Sequence, residues 1–262
     1  MNGIAVAQFA PSDNRDANLA VMRGLAESAV ERGASLVVFP EYSSYFTPTM
    51  GPDWIAAAET IDGPFATGLA AIATDLSVTV VAGMLESAGQ RAHNTVLAIS
   101  PDGITLAVYR KMHLYDAFGV TESDWIAPGE ITAPTFTWKG LIVGLQTCYD
   151  IRFPEVTRAL VDTGAEVVVV PAEWVRGPLK EHHWRTLLTA RAIENTVYVA
   201  AADHAPPIGA GNSMVLDPMG VELATVGETT DVAIAFATRQ RIDDVRAANP
   251  ALLLRRFGIR SL

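Results

Sequence analysis

A chain of 262 residues, half of them apolar and 18% charged, can bury a sizeable core, which excludes an intrinsically disordered protein. Nineteen Lys and Arg against 29 Asp and Glu leave a formal charge of −10 with no basic run to offset it, so no nucleic-acid partner is expected. The single cysteine excludes an intrachain disulfide or a cysteine-rich metal cluster, and the five histidines show no metal-ligand spacing with a carboxylate, so neither a metal nor another cofactor is expected.

Residues 3–9 alternate apolar and small side chains as a strand does, and a helical pattern over 15–32 stops at Gly33, a residue suited to a helix C-terminus. A strand over 36–39 closes at Pro40. A helix over 64–75 precedes a β-rich run over 79–85, and strands over 94–99 and 104–109 flank Ser100-Pro101-Asp102-Gly103, whose Pro, Asp and Gly supply the dihedrals of a hairpin turn. The order then recurs as strand 141–147, helix 154–163, strand 167–170, helix 181–195 and strand 197–202. A closing hairpin follows, in which Asp217-Pro218-Met219-Gly220 joins 213–216 to 221–225.

Val37-Val38-Phe39-Pro40-Glu41 is echoed by Val168-Val169-Val170-Pro171-Ala172-Glu173, each after a helix ending in a Gly-Ala pair. The chain therefore reads as two pseudo-equivalent α/β halves in one domain over residues 1–262. Each half is expected to supply one mixed sheet with helices on one face, and the two bare faces bury each other in a four-layer α-β-β-α sandwich. Strands too continuously apolar for one solvated face fit that arrangement. The longest apolar runs, such as 167–172, are too short to span a bilayer, and the N-terminus enters a strand without a basic leader. A cytoplasmic protein with no membrane partner is expected. The stretch 246–262 sets Leu252-Leu253-Leu254 beside Arg255 and Arg256, a pattern that can pack on a partner subunit.

Cys148 falls where a strand breaks just before a helix, a junction that holds a side chain at a sheet's carboxyl edge near free backbone N–H groups. Lone cysteines are usually small buried hydrophobes, yet the polar Tyr149-Asp150-Ile151-Arg152 directly after this one is poor company for a core residue. Glu41 follows a buried strand and Pro40, which puts a partly desolvated carboxylate at a strand edge, suited to taking a thiol proton. Read alone, that segment more often describes a solvated loop glutamate. Lys111 ends the strand leaving the first hairpin and in isolation reads as a surface lysine. Together the three make a chemical set. A free thiol of pKa about 8.5 is mostly protonated at neutral pH and gains from a base, and a tetrahedral oxyanion needs a cation or N–H donors.

The order Phe39-Pro40-Glu41, then Tyr109-Arg110-Lys111-x-His113-Leu114, then Cys148-Tyr149-Asp150-x-Arg152-Phe153-Pro154-Glu155 resembles the nitrilase superfamily of carbon–nitrogen hydrolases. The likeness continues through Arg191-Ala192-Ile193-Glu194-Asn195 and Asn212-Ser213-Met214-Val215. The resemblance implies a Glu41–Lys111–Cys148 triad. In it Cys148 takes the acyl group as a thioester, ammonia or an amine departs, Glu41 activates water, and Lys111 with the backbone N–H of Tyr149 binds the oxyanion. It also implies a second, orienting glutamate, matched by Glu122 with Glu130 as its rival.

At the position where relatives line the acyl pocket, Trp174 is expected to shape the wall and Arg176 to pair with a substrate carboxylate, a plain surface role being the alternative for Arg176. Tyr42 and Phe118 are further wall candidates. Arg152 is expected to brace the turn after Cys148 through an ion pair with Glu155 or Asp150, and His113 and His183 to be structural. The segments look most like an omega-amidase-type branch, so the expected partner is a small aliphatic amide and the expected assembly a homodimer or higher homo-oligomer. An N-carbamoyl amino-acid or ureido hydrolase and an acyltransferase would use the same residues. A non-catalytic scaffold of the same fold is the alternative from another class, and the intact Glu41, Lys111 and Cys148 argue against it.

Overall fold

Valine, isoleucine and alanine fill both faces of the central strands, and that composition decides the layering. In the computed structural model, which describes residues 2–260, the strands are β1 (Asn2–Gln8), β2 (Ala34–Val38), β3 (Thr79–Ala88), β4 (Arg91–Ile99), β5 (Thr105–Arg110), β6 (Thr135–Trp138), β7 (Leu141–Leu145), β8 (Val167–Pro171), β9 (Tyr198–Ala202), β10 (Met214–Leu216), β11 (Glu222–Thr225) and β12 (Asp231–Ala237). The helices are α1 (Arg15–Glu31), α2 (Pro52–Ala57), α3 (Pro64–Leu76), α4 (Pro154–Asp162), α5 (Lys180–Asn195) and α6 (Arg239–Ala248).

One sheet runs β12-β1-β2-β3-β4-β5 and the other β11-β10-β9-β8-β7-β6. In each, three neighbours are parallel (β1, β2, β3 and β7, β8, β9) and antiparallel strands complete the edges. Period-two alternation sorts the side chains. Ile4 and Val6 join Val167 and Val169 in the core between the sheets, whereas Ala5 and Ala7 pack under α1 and α3, and Val168 and Val170 under α4 and α5. The result is the four-layer α-β-β-α sandwich.

One expectation about its assembly fails. The halves do not each own a sheet: β12, from the far end of the chain, pairs antiparallel with β1 from Asn2↔Ala237 to Gln8↔Asp231. Without it β1, apolar from Ile4 to Ala7, would form an open edge, the arrangement folded sheets avoid. The strand expected to reach residue 147 ends at Leu145, because a 3-10 helix, Cys148–Arg152, begins the turn early. Toward the C-terminus Leu252 packs on the core beneath α4 and α5, while Leu253, Leu254 and Phe257 are exposed; residues 261 and 262 of the terminal stretch lie outside the described residues. Among the described residues no helix is long and apolar enough to cross a membrane.

Candidate active site

Each reactive side chain stands just past the end of a strand. The parallel pairing of β2 with β3 continues one residue further, Phe39 N–H donating to Val81 O at 2.8 Å, before Pro40 ends it and Glu41 turns inward. Tyr42 follows with φ +54°. β3 passes close beneath this turn, and a Cβ on Gly83 would lie 2.7 Å from both Glu41 Cα and Tyr42 N, so only glycine fits there. Lys111 extends β5 by one step, its N–H donating to Asn94 O at 2.8 Å. Cys148 opens its 3-10 helix at φ +42°, a left-handed conformation that non-glycine residues rarely adopt outside functional turns.

That strained turn is held by Asp150. Its Oδ2 accepts from Thr147 N–H at 3.0 Å and from the Tyr109 hydroxyl at 2.6 Å, and its Oδ1 lies 2.8 Å from His113 Nδ1. The turn carrying Cys148 is thereby tied to the strand end carrying Lys111. His204 does similar work for Glu41, with Nε2 2.7 Å from the Glu41 carbonyl oxygen; burial pulls this imidazole from its usual 6.5 to about 4, so it donates as a neutral group.

Glu41 and Lys111 are almost wholly buried and share a 2.8 Å ion pair. Glu41 Oε1 also accepts from Asn94 Nδ2 at 2.6 Å, and Oε2 from the Glu173 N–H at 2.6 Å. Glu122 takes Lys111 Nζ between its two oxygens at 3.2 and 3.0 Å and accepts from Asn94 Nδ2 and the Tyr42 hydroxyl. Burial by itself would lower the Lys111 ammonium, but the carboxylates of Glu122 and Glu41 hold it well above the usual lysine value. The Cys148 thiol donates to Glu173 O at 3.5 Å. Burial, reinforced by the Glu41 carboxylate and opposed by Lys111, pushes this thiol well up. These surroundings favour the protonated thiol over the thiolate.

Glu41, Lys111, Glu122 and Cys148 all line one cavity of about 440 Å³, within the range of small-molecule sites. Tyr149, Trp174 and Tyr42 line it too, Tyr42 adding its hydrogen bond to Glu122. Phe118 does not: it is 69% exposed and stacks on Tyr115 at the rim. Arg176 is also outside, exposed and engaged with Glu181 and Glu228. Glu130 is exposed, leaving Glu122 as the second buried carboxylate on Lys111 beside Glu41. Arg152 makes no ion pair with Glu155 or Asp150, since Asp150 is already occupied by the turn; its guanidinium lies over Trp174 instead. His183 Nδ1 lies 3.4 Å from Arg152 Nη2.

Asn94, Glu173, Lys180 and His204 were not singled out by the sequence reading. An amide within β4, two residues ahead of the apolar run 96–99, is the signal for Asn94, and the Val-Pro-x-Glu echo of the Glu41 segment is the signal for Glu173. Lys180 and His204 carry no local mark.

The carbon-nitrogen hydrolase family model matches residues 3–247. A deaminated glutathione amidase from Escherichia coli O157:H7 is 38% identical over 256 residues, covering 97% of both chains. The omega-amidase NIT2 of Mus musculus is 31% identical over 271 residues, covering 98% of this chain and 95% of its own. Among solved structures, a mutant of the amidase from Nesterenkonia sp. AN1, with acrylamide added at its active-site cysteine, superposes with a TM-score of 0.81 at 28% identity, covering 97% of this chain and 100% of that one. Matched almost from end to end by the family model, and aligned with amidases over nearly their full lengths, this chain belongs to the carbon–nitrogen hydrolase family of the nitrilase superfamily.

Proposed function

We propose that the protein hydrolyses a small aliphatic carboxylic amide through a cysteine thioester. The observation that carries this reading is the position of Glu41. One of its oxygens holds the Lys111 ammonium, and the other holds the backbone N–H of Glu173, the residue whose carbonyl accepts the Cys148 thiol. Base, cation and nucleophile thus share one buried network.

Glu41 takes the thiol proton as sulfur adds to the amide carbon, which fits a nucleophile kept protonated until it reacts. Negative charge then develops on the carbonyl oxygen, and the Lys111 ammonium, favoured by its two carboxylate partners, stabilises it together with the Tyr149 N–H in the first turn of the 3-10 helix. The C–N bond breaks as the proton on Glu41 passes to the departing nitrogen, leaving ammonia and a thioester. Water then adds to the thioester, losing its proton to Glu41, and the acid and free thiol are released. Glu122, Asn94 and Tyr42 keep Lys111 and Glu41 in register throughout. Amidases among the relatives, and a cysteine adduct in a structural neighbour, support the same chemistry.

Ammonia release from short aliphatic amides tests the reading. Wild-type protein is expected to release ammonia and acid in equal amounts, and Cys148→Ala to release neither. Turnover surviving in Cys148→Ala overturns the cysteine mechanism, and turnover of carbamoyl compounds alone, with carbon dioxide evolved, assigns a ureido substrate instead.

A further inference from the structure

Asp203 is an acid that the chemistry above leaves unused. It directly follows β9, is fully buried, and is not among the residues lining the cavity. Its Oδ1 accepts from the Trp174 N–H at 2.6 Å, and its Oδ2 is buried with no hydrogen-bond partner among the described residues. Burial, opposed by the Trp174 N–H and reinforced by Glu173, pushes the carboxyl well above the usual carboxylate range. Packing alone does not call for such a group. A carboxyl taken out of water with one oxygen unpartnered is unfavourable, and an apolar side chain would fill the space at less cost.

What the contact achieves shows in the peptide beside it. The parallel pairing of β8 with β9 runs one residue past β8, Ala172 N–H donating to Ala202 O at 2.8 Å. Alternate N–H groups along a strand serve the same neighbour, so Trp174 is next in line after Ala172, and the Asp203 side chain takes the place of a ladder carbonyl there. Glu173 lies between these two anchors. Its own N–H donates to Glu41 Oε2 at 2.6 Å, and its carbonyl accepts the Cys148 thiol at 3.5 Å. His204, the next residue, holds the Glu41 carbonyl. Two consecutive residues past β9 therefore brace the turns that carry both partners of the Glu41–Glu173 hydrogen bond.

We propose that Asp203 is a positioning residue for the hydrolase: by capturing the Trp174 N–H it fixes the Glu173 peptide, which in turn holds the base Glu41 and the nucleophile Cys148 in reacting geometry. The proposal rests on the amide-hydrolase reading and adds a residue that never meets the substrate.

Steady-state ammonia release, with active sites counted by iodoacetamide incorporation, compares wild-type protein with two variants. Asp203→Asn offers Trp174 the same acceptor and, replacing an acid held toward its neutral form, changes little charge; it should keep at least about a third of wild-type kcat. Asp203→Leu fills the space but leaves the Trp174 N–H unpaired, so kcat per counted site should fall about tenfold to a hundredfold while KM changes less than about threefold. If Asp203→Leu does not fold, the smaller Asp203→Ala is read the same way. A purely structural residue would lower stability and leave kcat per site at the wild-type level. That result, or an Asp203→Asn protein as impaired as Asp203→Leu, overturns the proposal.

The pH dependence of alkylation reads the same contact without turnover. A carbonyl that accepts from the thiol favours its protonated form, so displacing it should move the alkylation midpoint of Asp203→Leu downward by at least about 0.5 pH, with Asp203→Asn at the wild-type midpoint. Absence of ammonia release by wild-type protein would defeat the hydrolase reading, and the midpoint shift would still uphold the positioning of Cys148. Equal midpoints in all three proteins would overturn that positioning whether or not the amide turns over.

Discussion

Asn94 donates through one nitrogen to Glu41 and Glu122 together, so a single amide sets the spacing of two buried carboxylates around one lysine. Removing it leaves two buried acids with one donor fewer. A hydrogen bond to a charged group contributes about 1.5–3 kcal/mol, so Asn94→Ala should lower kcat by about tenfold to a hundredfold with a smaller change in KM, read from steady-state ammonia release. The thiol supplies a second check. Because the Glu41 carboxylate helps push Cys148 up, Glu41→Gln removes a negative charge and should lower the thiol pKa, although it destroys catalysis. Alkylation by iodoacetamide, followed against pH, should therefore shift to lower pH in Glu41→Gln; a shift the other way would mean that Glu41 does not face the thiol. Glu41, Lys111 and Cys148 were legible as a set of base, cation and nucleophile in three motifs, and Glu122 through the family resemblance, although Glu41 and Lys111 read alone pass for ordinary loop and surface residues. Asn94, His204 and Lys180 escaped because their significance lies in partners far along the chain, such as Glu41 for His204.

For the elements, apolar alternation was a sufficient guide wherever a strand is buried on both faces. The expected boundaries of β1, β2, β7, β8 and β9 lie within about two residues of those observed, and α3, α4 and α5 likewise start or stop where Pro64, Pro154 and Asn195 suggest. Leu36, fully buried between the sheets on β2, measures what that packing contributes: Leu36→Ala should cost about 2–5 kcal/mol in urea unfolding. A loss under 1 kcal/mol would show that the sheets do not rely on close contact there. Four elements went unread. α2 and β6 are short, with six and four residues, and α6 buries only Ile242 and Val245. β12 is different, being apolar enough to notice; it lacks a local partner, because its hydrogen bonds go to β1 at the opposite end of the chain.

Across the whole molecule, the site belongs to neither sheet. Glu41 and Lys111 come from the ends of β2 and β5 in one sheet, Cys148 and Glu173 from the ends of β7 and β8 in the other, and the Glu41–Glu173 hydrogen bond joins the two. Catalysis should therefore fail only when the sheets part. In urea, amide turnover and circular dichroism are expected to disappear at the same midpoint, and activity lost well before secondary structure would mean that the site is assembled by loops alone.

Alternating apolar residues, strand-ending prolines and three short motifs were enough to indicate a sandwich of two mixed sheets and to single out Glu41, Lys111 and Cys148, because backbone period and residue chemistry are local properties. Which acid faces the lysine, Glu122 or Glu130, and which cation faces the cavity, Lys180 or Arg176, came from packing. The direction of a side chain at a loop or helix end depends on what the rest of the chain places beside it. No short window of sequence contains that information.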